Sequence, residues 1–285
     1  MNLARRAWTL FEPIHAIVYF APEAPEHFKA AGLRGGWMGY FASRSAPMGA
    51  VSAGLVTAVF HNFRPAMVER AIPDAWRYSS PELALTARSA LADAALRRLW
   101  GDAVDSDEVR DAGVAAMAVA RGLRGGGRPL YTATAALAEP DAPHLKLWHA
   151  CTLLREHRFD GHTVALTAHG LDGLESIVTA LAAGTGLDPA TMRAFRGWTE
   201  EEWDAGAERL RDRGILDPAG DLTPEGQALR AAVEDLTDHL AIDVWEAMDE
   251  PSRERLFAAM RRLARLLEHP DGLHYPNPIG VIRPV

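Results

Sequence analysis

The chain has 285 residues, 48% hydrophobic and 24% charged, a globular composition that excludes a disordered, collagenous or coiled-coil protein. Against 30 lysines and arginines stand 38 acids, and the formal net charge of −8 does not suit a non-specific binder of nucleic acid. The single cysteine, Cys151, excludes an intramolecular disulfide, and no run of roughly 18 residues is apolar enough throughout to read as a membrane span, so no membrane partner and a cytoplasmic location are expected.

From the N-terminus, Trp8, Phe11 and His15 recur at helical spacing, with Val18 and Tyr19 behind them. Pro13 is expected to kink or restart that helix. Short helices follow over Glu26 to Ala31 and Trp37 to Arg44. Residues 49–63 are small and apolar, and periodicity leaves helix and strand open there. Ser80-Pro81-Glu82 places a cap and a first-turn proline ahead of a helix to Trp100. Asp105 to Leu123 forms the next helix, and Gly125-Gly126-Gly127 reads as a flexible joint.

In the second half, Pro143 to His157 reads as a helix. A turn follows at Phe159-Asp160-Gly161, with Asp160 capping the helix from Gly161 to Ala168. Leu171 to Ala183 is helical, a short helix follows Pro189, and Thr199 caps a helix to Arg213. Gly214 to Thr223 predicts two short strands around a tight turn, and a long helix starts at Thr223-Pro224. A last amphipathic helix spans Ser252 to Glu268. Its stripe Leu256, Phe257, Met260, Leu263 and Leu267 is expected to pack on the Pro224 to Ala241 helix or on a second copy in a homodimer. The predicted fold is mainly α: two helical, winged-helix-related domains, residues 1–142 and 143–285, with a small β-wing in the second.

Three helices, a wing and a long helix are the order of a winged helix-turn-helix. Glu208-Arg209-Leu210-Arg211-Asp212-Arg213-Gly214-Ile215-Leu216 and Leu222-Thr223-Pro224-Glu225-Gly226 resemble the recognition helix, wing and long helix of MarR-family regulators, over roughly residues 144–242. Through Glu12-Pro13-Ile14-His15 and the run Leu154 to His162, the whole chain resembles a poorly characterised bacterial family with a helix-turn-helix-related C-terminal half. The resemblance implies a fold, and a fold hosts many functions. DNA binding is not expected of it. The Thr199 to Arg213 helix sets six acids against three arginines, its first turn is the most acidic part, and the wing tip carries Asp217 and Asp221 without a cation.

Eleven histidines are present, several in apolar surroundings. A neutral imidazole ligates a metal or haem iron or moves protons near neutral pH, and an arginine grips a carboxylate bidentately. On that chemistry His15, His61 and His157 are assigned catalytic roles. Arg155, Tyr19 and Trp37 are assigned to cofactor binding, and His157 and His162 to a metal, with haem or a transition metal as the cofactor class. All would line one pocket between the two domains. Taken singly, each of these histidines reads more simply as a satisfied structural group. No zincin, Walker, dinucleotide or nucleophile-elbow motif is present. The sequence therefore predicts a small-molecule or cofactor-binding protein, an enzyme rather than a regulator, with a MarR-like ligand-responsive regulator as the alternative.

Overall fold

The computed structural model describes residues 1–284, and the chain is mainly helical. In order come α1 (Leu3–Ala16), α2 (Ala24–Ala30), α3 (Gly35–Ser45), α4 (Ala53–Phe60), α5 (Pro65–Glu69), α6 (Ala75–Tyr78), α7 (Pro81–Trp100) and α8 (Asp107–Arg121). Then follow α9 (Pro129–Ala135), α10 (Pro143–Ala168), α11 (Gly173–Ala182), α12 (Pro189–Arg196), α13 (Glu200–Asp212), α14 (Pro224–His239), α15 (Asp243–Glu246) and α16 (Glu250–Leu266). Among the described residues no helix is long and apolar enough to cross a membrane.

Local chemistry explains most helix starts. Ser80 accepts from the Leu83 amide at the head of α7, and Pro81 occupies the position whose amide has no helical partner. Thr199 and Glu202 form a reciprocal capping box on α13, and Asp172 and Glu175 repeat it on α11. Pro13 does not interrupt α1, because the flanking Glu12, Ile14 and His15 are buried and held by neighbouring helices. Residues 53–60 resolve as helix α4. The triple glycine is a tied loop rather than a free joint, for the Gly125 carbonyl accepts from both the Arg128 amide and the Thr132 hydroxyl.

The expected turn at 159–161 is absent. Helix α10 runs unbroken for 26 residues. Gly161 is there for close approach: a Cβ at this position would lie 2.0 Å from Nη1 of Arg128. That slot lets the Arg128 side chain cross α10 and donate to the carbonyls of His157 and Leu240, each at 3.1 Å. Asp160 caps no following helix. Its carboxylate accepts the Tyr131 amide at 3.0 Å, in the first turn of α9.

Apolar packing forms two clusters. One joins residues between Ala7 and Leu154 to Trp245 through Val281, and the other lies between Ala165 and Val233. Helix α10 serves both, through Leu147 to Leu154 near its start and Ala165 and Leu166 near its end. The stripe Leu256, Phe257, Met260, Leu263 and Leu267 is buried within this chain, where α16 packs on α1 and α8 rather than on α14. It offers no exposed face to a second copy. Between α13 and α14 the two expected strands reduce to one antiparallel bridge, Leu216 to Leu222.

The segment α11 to α13 docks on the loop after α4. The Arg64 amide donates to the Arg196 carbonyl at 3.1 Å, Trp198 Nε1 donates to the Asn62 carbonyl at 3.3 Å, and Arg64 pairs with Glu202. Gly173 permits the contact, since a Cβ there would stand 2.0 Å from the rigid His61 carbonyl oxygen. Gly173→Ala should therefore lower stability by about 1–3 kcal/mol through overpacking, although alanine is the better helix former. Gly36→Ala, in α3 with open space around it, should change stability by less than about 1 kcal/mol. Denaturant midpoints of the two variants check this, and equal midpoints would refute the docking constraint.

Candidate functional site

The two sequence elements face one another at the centre of the molecule. Glu12 and His15 lie three residues apart on α1, and Thr152 and Arg155 lie three apart on α10, so the helices meet through two matched pairs. Arg155 Nε donates to Glu12 at 3.2 Å, and His15 Nδ1 lies 3.0 Å from the Thr152 hydroxyl. That hydroxyl donates to the Trp148 carbonyl, so it accepts from Nδ1–H. His15 Nε2 then accepts from the Tyr19 hydroxyl at 2.9 Å, which accepts in turn from Arg88. Burial, then the charge of Arg155, holds His15 neutral, well below the usual histidine range.

Glu156 is the hub of the ionic cluster. Arg44 grips it bidentately at 3.0 and 2.9 Å, and Arg155 Nη1 adds a third bond at 2.9 Å. Burial alone would raise its carboxyl, but the two guanidiniums overcome this and hold it ionised, well below the usual carboxylate range. At Glu12 the balance reverses, and burial raises its carboxyl in spite of Arg155.

Beside this cluster opens a cavity of about 800 Å³, within the roughly 300–1,000 Å³ of small-molecule sites. Tyr40, Arg44, Phe63, Arg155, Phe159 and Arg196 form part of its wall. The guanidiniums of Arg44 and Arg155 each stand 4.5 Å from the Phe159 ring centre, and that of Arg196 stands 4.5 Å from Phe63. Further round, Arg158 pairs with Asp238 at 2.6 Å and Arg230 with Glu234 at 2.7 Å. Buried guanidinium nitrogens of Arg158, Arg196 and Arg230 have no hydrogen-bond partner among the described residues.

Of the residues assigned from sequence, Arg155, His61 and His162 line this cavity. His61 Nε2 donates to the Leu171 carbonyl at 3.3 Å. His162 Nδ1 donates to Thr237, whose own proton goes to the Val233 carbonyl. Burial lowers both imidazoles, His162 to about 4. His15 and Tyr19 lie behind the wall, with the Tyr19 ring 5.3 Å from Tyr40. Trp37 packs against Tyr40, Phe41, Phe63 and Phe195 and stays partly exposed.

His157 is placed elsewhere. Its ring meets Tyr131 edge-on at 5.2 Å, and burial, then Arg128, lowers it to about 4. His157 and His162 are five residues apart, about 140° round a helix, so the pair assigned to a metal does not converge. Among the described residues no three histidine, cysteine, aspartate or glutamate side chains are placed to hold one metal ion. The same wall contains residues that the sequence reading passed over, chiefly Arg44, Arg196 and Phe63. Arg44 carried a signal, being a cation at helical spacing from the aromatics Tyr40 and Phe41.

Two substitutions test these electrostatics. Glu156→Gln leaves Arg44 and Arg155 buried with one carboxylate fewer and should cost about 3–5 kcal/mol in a denaturant titration; a loss under about 1 kcal/mol would contradict the hub role. Asp160 is raised to about 7, mainly by burial, whereas an unfolded aspartate titrates near roughly 3.9. Between these values the folded state binds the proton more tightly, so Asp160 costs the fold progressively more as pH rises. Asp160→Asn keeps an acceptor for the Tyr131 amide and should gain on the parent by about 1–3 kcal/mol between pH 4 and 8. A stability difference flat with pH would refute that ionisation.

A family model described as a helix-turn-helix family matches residues 4–273, nearly the whole chain. No curated protein and no solved structure matches the chain.

Proposed function

The chain belongs to this helix-turn-helix family, and we propose that it is a small-molecule-binding protein that does not use its helix-turn-helix to bind DNA. The observation that carries this reading is the cavity itself: about 800 Å³, walled by aromatic rings and by arginines whose buried N–H groups lack partners among the described residues. Its place is the seam between the helices before α11 and the winged-helix-like segment from α11 to α14, whose helix order resembles a MarR domain. His61 and His162, two neutral imidazoles in the wall, extend the reading to an enzyme, since each engages one nitrogen with the protein and leaves the other for a ligand.

Helix α13 supports the negative half of the reading. Its arginines are engaged by neighbouring acids: Arg209 with Asp172 and Glu175, Arg211 with Glu208, and Arg213 with Glu175. Its N-terminal turn, from which base contacts would come, is tied to the loop after α4 through Glu202 and Arg64. The alternative, a ligand-responsive regulator, draws on the family match and on the helix order. Fluorescence anisotropy with a labelled duplex separates the two. The expected result is weak, sequence-independent binding even at low salt, with Kd no tighter than about 10⁻⁵ M. A salt-dependent footprint confined to one sequence would overturn the proposal in favour of the regulator.

A further inference from the structure

The charges along the inner wall do not cancel. Arg44 and Arg155 are matched by Glu156 and Glu12, two cations against two acids, through the bonds already described. Arg196 stands outside this balance. It is 6% exposed, yet among the described residues no carboxylate pairs with it. Its Nη2 donates to the Pro278 carbonyl at 2.8 Å, and its Nε is buried with no partner among the described residues. Burial, with Arg44 and Arg155 adding repulsion, pushes it down to about 10, which still leaves a full positive charge at neutral pH. A buried, hydrogen-bond-deficient cation is costly unless an anion completes its shell.

We propose that Arg196 is the anchor of an anion subsite in this cavity, and that the ligand is a small organic acid whose acidic group lies on Arg196 while its flat apolar body lies against Phe63, Tyr40 and Phe159. The chemistry follows from the wall. A guanidinium presents a planar fork that matches a carboxylate or a similar oxyanion. Phe63 backs the Arg196 fork at 4.5 Å, and the tail carbonyl of Pro278 fixes it from another side, so the group is oriented before any ligand arrives. The uncompensated charge is what the acidic group would satisfy. This inference rests on the cavity being a ligand site, and it adds the charge of the ligand and the residue that reads it.

Two fluorescent probes with the same rings separate the two levels: anilinonaphthalene sulfonate, an anion, and phenylnaphthylamine, its uncharged counterpart. The parent protein should bind the sulfonate at least tenfold more tightly than the neutral probe. Arg196→Gln should remove that preference and leave the neutral probe within about twofold of its parental affinity. Arg196→Lys should keep part of the preference, and Arg193→Gln, which removes a cation one turn earlier on α12, should keep all of it. Circular dichroism and melting curves establish that each variant is folded. If Arg196→Gln does not fold, the parental probe preference and the lysine variant decide. Equal binding of both probes by the parent, or a preference untouched at Arg196, overturns the anion subsite and leaves the cavity reading standing. Failure of the parent to bind either probe overturns both.

Discussion

A buried helical stretch cannot carry ionised side chains unless its neighbours neutralise them, and α10 carries Arg155, Glu156, His157 and Arg158 in succession, all buried. Transfer of an unpaired ion from water costs several kcal/mol, so the position of every helix packed on this stretch is constrained by it. Helix α1 supplies Glu12 for Arg155, α3 supplies Arg44 for Glu156, and α14 supplies Asp238 for Arg158. His157, on the remaining side, sheds its charge instead and packs on Tyr131. Such a cluster is a poor source of net stability, because desolvation offsets most of the Coulombic gain. Its value is in register. Sliding α1 or α3 by one turn along α10 would strand a charge, whereas apolar contacts alone would tolerate the shift.

The same constraint explains why the segment α11 to α13 sits where it does. Glu202, Glu175 and Asp172 are acids at or near helix N-termini, where the helix dipole favours them. Each also finds an arginine: Arg64 from the loop after α4, or Arg209 and Arg213 from the C-terminal end of α13. These charges hold the segment against itself and against the rest of the chain. The cavity lies along the seam that results, with wall residues from α1, α3, α10, α11, α12, α14 and the C-terminal tail.

Much of the helical architecture was legible in the sequence, since caps at Ser80 and Thr199 and the stripe on α16 announce themselves by residue type and spacing. What was misread shares one physical cause. Pro13 and Gly161 are helix breakers by intrinsic propensity, and tertiary contacts override both. Gly161 is the clearest case, because its missing Cβ admits the Arg128 side chain rather than ending a helix. The wing was overestimated for the converse reason. Ile215, Leu216 and Leu222 have strand-like character, but there is room only for one bridge before α14 begins. The packing partner of α16 was not accessible at all, because periodicity tells which face is buried and never against what.

The site was half legible, and the missing half shows which residue type is the better marker. Histidines drew attention because they titrate near neutrality, yet burial simply makes an imidazole neutral, and a neutral imidazole is satisfied by two ordinary partners. His15 does this with Thr152 and Tyr19. Arginine has no such escape, since its pKa lies so high that burial cannot neutralise it at physiological pH. A buried guanidinium must therefore find an anion or, as Arg128 does with the carbonyls of His157 and Leu240, neutral acceptors for its N–H groups; otherwise it is left in deficit. Arg44, Arg155 and Arg158 have found theirs within the chain, and only by subtracting those pairs does the surplus at Arg196 become visible. That subtraction needs coordinates, because Glu12, Arg44, Arg155, Glu156 and Arg196 are scattered over 185 positions of sequence. Once the pairs are drawn, the excess charge at Arg196 is read from the ions alone, with no appeal to the family of the chain.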